Sequence, residues 1–451
     1  MLLKLCLPLL LATTVVADHW AVIVAGSTGF WNYRHQADAC HAYQVVRRHG
    51  IPESNIVLMM YDDVANSTSN PFPGQLFNRP TTRQSDAVDV YKDCKVDYSG
   101  DDVSPTKFLQ VLLGDPAAGG KVLKSTGNDR IFVNFVDHGA TGMICFPNAN
   151  LYAKDLVDTL RTMHSRKLYK ELVFYLEACE SGSMFKGLLP DDINAFVTTA
   201  ANEKESSWGT YCPPLDDHIG TKLLGTCLGD LYSVNWMEDS DKSDLAKETL
   251  QEQYTRVKKL TDKSHVLEFG SASIRKEPVG DFQSNTDHDS IGGSVDDSTD
   301  DSSDDNEEAA QSRRARSSID VHDIELVTKF YQYLRADAGA RAPLAAALVE
   351  TIEAREASDR VFRDIVTATQ RDAPTLTATD DPLHDSCLRA VNAIIETHCG
   401  RYSDYSLQYV AQLAALCNKG YAPEVVSSHA KAACQRHTRK STVYDANVAL
   451  A

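Results

Sequence analysis

Apolar positions along the chain fall into two periods. His19-Trp-Ala-Val-Ile-Val-Ala25 is an unbroken apolar run closed by Gly26-Ser-Thr-Gly29, the pattern of a buried strand. Between Asp38 and His49, Ala39, Ala42, Tyr43 and Val46 recur at helical spacing, and Gly50 with Pro52 supplies the stop. Further strands are predicted over 55–61, 131–136, 172–177 and 195–200, with helices over 105–113 and 152–165. The stretch 62–102, rich in Pro, Asn, Asp and Gly, reads as a long surface loop with a hairpin, and 240–260 as a helix. Strands alternating with helices predict an α/β fold: a mostly parallel sheet flanked by helices and joined by right-handed crossovers.

Past residue 280 the pattern changes twice. From 281 to 316 Asp, Ser, Gly and Thr dominate with almost no apolar side chains, so this stretch is expected to be a disordered acidic linker. From 317 to 451 the helical period returns. Val321, Ile324, Val327, Tyr331 and Leu334 make one stripe, Leu344 to Val366 one or two helices, and three more segments follow up to Arg436. The tail is therefore expected to be an all-α bundle with its own core. The expected units are a leader (1–17), the α/β domain (18–280), the linker (281–316) and the tail (317–451).

Lys4, the apolar 5–11 and the small residues Val15 and Ala17 form a signal-peptide pattern, too short for a membrane span. This implies a secreted or luminal protein. Of eleven cysteines only Cys6 lies in the leader, and an oxidising compartment suits the rest. The tail's Cys387, Cys399, Cys417 and Cys434 allow three pairings. No C-x-x-C pair occurs, so a structural zinc site, or any other cofactor, is not expected. Asn66-Ser67-Thr68 is a glycosylation acceptor. The net charge of −18 argues against a nucleic-acid partner, and it is densest in the linker. That linker ends in Arg313-Arg-Ala-Arg316, a processing signal of the basic type.

The chemistry lies at two strand ends. Leu172-Val-Phe-Tyr-Leu-Glu177 runs into Ala178-Cys179-Glu-Ser-Gly, and Ile131-Phe-Val-Asn-Phe-Val136 into Asp137-His138-Gly139. In open α/β sheets function gathers beyond the carboxyl ends of strands. One end delivers a thiol and the other an imidazole, the pair that nucleophilic thiol catalysis needs. His138 would take the proton of Cys179, the amides of Gly139 and Cys179 would face an oxyanion, Asp137 would orient or cap the turn, and Asn32 would hold the histidine tautomer.

Trp31-Asn-Tyr-Arg-His-Gln-Ala-Asp-Ala-Cys-His-Ala-Tyr43, Val136-Asp-His-Gly139, Tyr175-Leu-Glu-Ala-Cys-Glu-Ser-Gly-Ser183 and Tyr232-Ser-Val-Asn-Trp-Met-Glu-Asp-Ser-Asp241 together resemble the legumains, asparaginyl endopeptidases of the caspase-like clan. The resemblance covers about 19–275 and extends more loosely into the tail. It implies a caspase-like sheet, a death-domain-like inhibitory prodomain acting in cis, and a lysosomal or endosomal zymogen that activates itself at low pH. It further implies cleavage after Asn, and after Asp in acid, of protein substrates with exposed Asn. Cystatin-type inhibitors are implied partners. Cys179, His138 and Asn32 match the catalytic set, and Asp137 an aspartate associated with peptide joining. Arg34, His35, Glu177, Ser207 and Asp230 match the specificity pocket. The implied disulfides are Cys387 to Cys417 and Cys399 to Cys434, with Asn285 and Asn306 as self-cleavage sites beside Arg316. A ligase using the same acyl-enzyme, or a tail that serves as an inhibitor or binding module, are the alternative functions.

Overall fold

The computed structural model describes residues 17–285, 316–375 and 385–437. The leader, most of the linker with Asn306, and the last fourteen residues lie outside the described residues.

β1 (His19–Ala25) is buried along its whole length and pairs in parallel with β2 (Ile56–Met60) and β3 (Arg130–Val136). β3 pairs in parallel with β4 (Glu171–Glu177), and β4 with β5 (Ala195–Thr199). Continuous apolar runs are what strands covered on both faces require. A three-residue strand β6 (Trp208–Thr210) and β7 (Gly229–Asp230) belong to a small separate sheet, while β8 (Leu267–Gly270) adds antiparallel to β5. The main sheet therefore runs β8-β5-β4-β3-β1-β2. Its two faces carry two cores, one built on Tyr33, Tyr43, Phe132 and Trp236, the other on Phe108, Phe135, Phe174 and Phe185.

Most expected helices form, with altered limits. α1 (Tyr33–Arg48) starts five residues before the apolar period does, because its first turns, Arg34 and His35 included, are buried too and show no amphipathic alternation. α2 (Pro105–Leu112) begins at a Ser104 cap with proline at the first helical position, and α3 (Ala153–Ser165) follows β3. The helix expected over 240–260 forms only in its second half, since 241–249 is not helical. α4 (Leu231–Ser240) stops, and α5 (Leu250–Leu260) restarts at a capping box between Thr249 and Glu252. The hairpin expected within 62–102 is absent; one isolated bridge joins Phe77 and Asp89. Nor is that stretch a mere surface loop, since Val64, Phe72, Leu76, Phe77 and Val90 enter the first core and Cys40–Cys94 ties its end to α1.

Composition places the linker from 281, yet α6 (Gly280–Gln283) is buried and Asn285 N donates to His49 O at 3.1 Å. Packing thus extends five residues further, because Phe282 is an apolar anchor inside a polar stretch.

In the tail, β9 (Ser318–Asp320) pairs antiparallel with β6, then α7 (Ile324–Arg335) and α8 (Arg341–Thr369) follow as two helices. Only Ile324 and Thr328 of α7 are buried, so its stripe is half used, with Phe330 and Leu334 exposed. α9 (Asp385–Cys399), α10 (Val410–Asn418) and α11 (Pro423–His437) pack with α8 around Val361, Phe362, Val391, Ile395 and Leu413. Cys387 is bonded to Cys417 and Cys399 to Cys434, and Cys212 to Cys227 in the catalytic unit. The tail's core continues into Ala140 and Met143, on the turn that follows His138. Arg389 Nη1 meets Asp155 at 2.8 Å and Arg401 Nη1 donates to Pro147 O at 2.8 Å across the same seam.

Candidate active site

Parallel pairing of β3 and β4 sets the site. Val136 stands opposite Glu177, and Asp137 N donates to Glu177 O at 3.1 Å, so His138 and Cys179 leave neighbouring strands at the same end. A Cβ on Gly139 would lie 2.6 Å from Cys179 O and 2.9 Å from Ala178 Cβ, so only glycine lets the two turns close this far. Gly26 serves likewise on the next strand, where a Cβ would come 2.3 Å from Asp137 Oδ2. Glu180 takes a left-handed φ of 47°, which turns the chain sharply after the thiol.

Cys179 is buried, and its Sγ accepts from Ser207 N at 3.2 Å, with Ser207 Oγ at 3.7 Å. Burial pushes its thiol well above the ordinary value, Glu180 and Asp320 add to this, and the Ser207 amide opposes it. The resemblance groups Ser207 with the pocket; the structure sets it against the sulfur.

His138 Nε2 lies 2.9 Å from Asn32 Oδ1 and 3.2 Å from Asp404 Oδ2. Asn32 Nδ2 donates to Thr28 O and to Asp404 Oδ2, so its amide oxygen faces the ring. Both neighbours of Nε2 are then acceptors, which places a proton there and leaves Nδ1 as the basic nitrogen. That Nδ1 is buried without a hydrogen-bond partner. Asp137 Oδ1 accepts from His138 N at 2.6 Å, and burial raises its carboxyl well above the usual range.

Beside this pair lies a charged pocket. Arg34 Nε meets Asp230 Oδ1 at 2.8 Å, and Glu177 Oε2 accepts from Ser233 N and Ser233 Oγ, each at 2.9 Å. His35 Nδ1 bonds Ser27 Oγ at 2.6 Å, and Nε2 stands 3.5 Å from Asp230 Oδ2. Burial, then Arg34 and His138, pull His35 well below its ordinary value, which keeps it neutral. Burial raises Glu177, with Asp230 adding to it. Three buried atoms here have no hydrogen-bond partner: Arg34 Nη2, Glu177 Oε1 and Asp230 Oδ2. Unsatisfied buried donors and acceptors are costly, so one donor beside two acceptors marks a place for a ligand with both. His35, Asp137 and His138 are the one cluster of metal-ligand spacing among the described residues, and it belongs to this site.

The set expected from the residues, Cys179, His138, Asn32, Asp137 and Gly139, is thus brought together, as are Arg34, His35, Glu177 and Asp230. Three carboxylates were missed. Asp38 accepts from Asp230 N at 3.0 Å, and burial followed by Asp230 raises its carboxyl. Its spacing of four from Arg34 on α1 was a usable signal. Asp320 arrives on β9 and Asp404 in a tail loop, and no local pattern marks either.

The chain is similar in sequence to known peptidases. Residues 19–285 match the model of the Peptidase C13 family, and residues 347–434 that of the legumain prodomain. The chain belongs to the Peptidase C13 family. It is a cysteine endopeptidase with a C-terminal prodomain. The vacuolar-processing enzyme beta-isozyme of Arabidopsis thaliana is 40% identical over 93% of this chain and 86% of its own. Human legumain is 40% identical over 89% of this chain and 90% of its own, and mouse legumain 55% identical over 59% of each. A caspase-1 structure from Spodoptera frugiperda aligns over 56% of this chain and 88% of its own, with a TM-score of 0.32 at 10% identity, too distant to add to the argument.

The prodomain covers this site. Val321 and Ile324, in the segment ahead of it, share a buried apolar cluster with Cys179, and Asp404 occupies the face of His138 toward Asn32. Burial would raise Asp404, but His138 first, then Arg34 and the Asn32 amide, outweigh it and hold its carboxyl well below the usual range. A depressed carboxyl contributes docking energy that is whole above its free value, about 4, and is lost as pH falls below that toward the depressed one. With 29% of its side chain exposed, Asp404 is discounted to about 2 kcal/mol. Asp404→Ala in the full chain is expected to speed alkylation of Cys179 about 30-fold at pH 5 to 7, with the gap closing below about pH 4. An unchanged rate at neutral pH would remove Asp404 from the latch.

Of the expected processing sites, Asn285 is exposed at the end of the catalytic unit, whereas Arg316 is held by Asn235 and Glu238. Asn66 is exposed.

Proposed function

We propose that this chain is the zymogen of an asparaginyl endopeptidase. The observation that carries this reading is the unfilled donor and acceptors of the buried pocket: Arg34 Nη2 suits a carboxamide oxygen, and Glu177 Oε1 with Asp230 Oδ2 suits its amide hydrogens. Cys179 Sγ gives its proton to His138 Nδ1 and attacks the asparagine's own main-chain carbonyl carbon, forming a thioester to it. The amides of Cys179 and Gly139 receive the oxyanion. The imidazolium then protonates the departing amine, and a water molecule, activated by the same nitrogen, releases the acid and restores the thiol.

An ionised aspartate in the same pocket would face Glu177 and Asp230, whereas a protonated one resembles asparagine. In matched peptides, cleavage after Asn is expected across the working range, and cleavage after Asp only as pH falls toward that carboxyl's value, about 4. Equal kcat/KM for both at pH 7 would refute the specificity. Incubation of the full chain at pH 4 to 5 should produce new termini after exposed Asn or Asp, and Cys179→Ala should stay intact.

Acid activation follows from the signs at the latch. Asp404 is depressed by His138, then by Arg34 and Asn32, although burial opposes it, so its docking contribution fades in acid. Glu180 acts the other way, since burial and then Asp320 push it up to about 8, which weakens docking only as pH rises. The signal sequence, the exposed Asn66 acceptor and the disulfides favour passage through the secretory route to an acidic lumen such as the lysosome.

A further inference from the structure

Arg316 re-enters the catalytic unit in a built site. Nη1 donates to Asn235 Oδ1 at 2.6 Å, Nη2 to Glu238 Oε2 at 3.1 Å, and the guanidinium stands 5.2 Å from the Tyr211 ring centroid. Each partner is itself fixed. Asn235, 1% exposed, donates its amide to Thr261 Oγ1 at 3.1 Å, which turns its oxygen to the guanidinium. Tyr211 donates its hydroxyl to Glu238 Oε1 at 2.5 Å, which leaves Oε2 for the incoming group. A planar fork thus meets two acceptors and an aromatic face, a fit that an ammonium cannot reproduce. All three partners belong to the catalytic unit, on the loop after β6 and on α4.

The site lies on a track that leads to the thiol. From Arg316 the chain runs extended along β6, with Ser318 opposite Thr210 and Asp320 opposite Trp208. Val321 N then donates to Ser207 O at 3.3 Å, and Ser207 N donates to Cys179 Sγ. Five residues, about 17 Å of strand, separate Arg316 from Val321, which shares a buried cluster with Cys179.

We propose that Tyr211, Asn235 and Glu238 form a guanidinium-binding subsite, filled in cis by Arg316 and open, once that segment departs, to an arginine of an extended peptide substrate upstream of the cleaved bond. The inference rests on the asparagine reading only for the choice of cleaved residue. Arginine sets register along an edge strand that otherwise reads backbone alone. Glu238 also disfavours an acidic side chain at that position.

Acid-processed enzyme should be given Asn peptides carrying Ala, Lys, Glu or Arg at the fourth, fifth or sixth position before the Asn. At one of these positions Arg is expected to raise kcat/KM about tenfold over Ala, through KM, with Lys intermediate and Glu lowest. In Glu238→Gln the Arg-to-Ala ratio should collapse toward one. A ratio near one at all three positions, or one unchanged by Glu238→Gln, overturns the proposal. In the full chain at pH 7, Arg316→Ala should speed Cys179 alkylation about fivefold, and Arg316→Lys less. An unchanged rate also overturns it. Should no Asn peptide be cleaved at all, the specificity reading fails and this alkylation arm alone decides the subsite.

Discussion

Replacing His138 with alanine is expected to lower kcat/KM for an Asn peptide about 10⁴-fold at pH 5. A free thiol ionises near pH 8.5, so at pH 5 roughly one in 3,000 is thiolate without help. Burial under the prodomain raises Cys179 further, and no lysine or arginine contacts its sulfur among the bonds of the described residues. The nucleophile therefore depends on His138 Nδ1, the buried nitrogen without a bond partner. Without that base the residual rate should climb tenfold per pH unit toward the thiol's own value, where wild type levels off. Asn32→Ala, which frees Nε2 from its 2.9 Å bond, should cost less, about 10²-fold. A His138→Ala enzyme with wild-type pH dependence would mean that another group takes the proton.

The second large effect is expected from Arg34→Met. Arg34 is fully buried, and it is the guanidinium that meets Asp230, while burial and then Asp230 raise both Asp38 and Glu177. Removing one partner of a buried ion pair costs about 3–5 kcal/mol, because the other charge stays buried and uncompensated. Methionine keeps the stem's volume, so the loss is electrostatic rather than a cavity. Asn turnover should fall about 10³-fold, as the pocket loses the donor for the carboxamide oxygen and the anchor of Asp230. Stability should fall as well, and its pH dependence has a definite sign. Carboxyls raised in the folded state bind more protons folded than unfolded, so the variant should gain stability as pH falls and lose it as pH rises. Thermal unfolding at pH 4.5 and pH 7.5 reads this directly. A loss of equal size at both would attribute it to packing.

Much of the architecture was legible because it is local. Apolar runs such as His19–Ala25 and Arg130–Val136 are covered on both faces, so the chain states its strands outright. A strand ending in Cys179 and another ending in His138 put chemistry at the same sheet edge as soon as the two pair in parallel, and that pairing follows from the crossover helix between them. Where pattern misled, burial was the reason. The start of α1 is hidden because Arg34 and His35 are charged yet inside, and the 62–102 stretch carries core residues within a turn-rich composition. The break between α4 and α5 is marked by the Thr249–Glu252 capping box, a signal weaker than the run of helix-forming residues around it.

What the sequence by itself determined is the set of strands, the two chemical residues at their ends and the helical character of the tail, since each depends on neighbours a few positions apart. Only the tertiary structure decided that Asp404, 266 positions from His138, shares its Nε2 with Asn32, and that Arg316 settles on Asn235 and Glu238. Those contacts are charge–charge and hydrogen-bond matches between surfaces that meet only after each unit has folded. No periodicity in either segment encodes its partner.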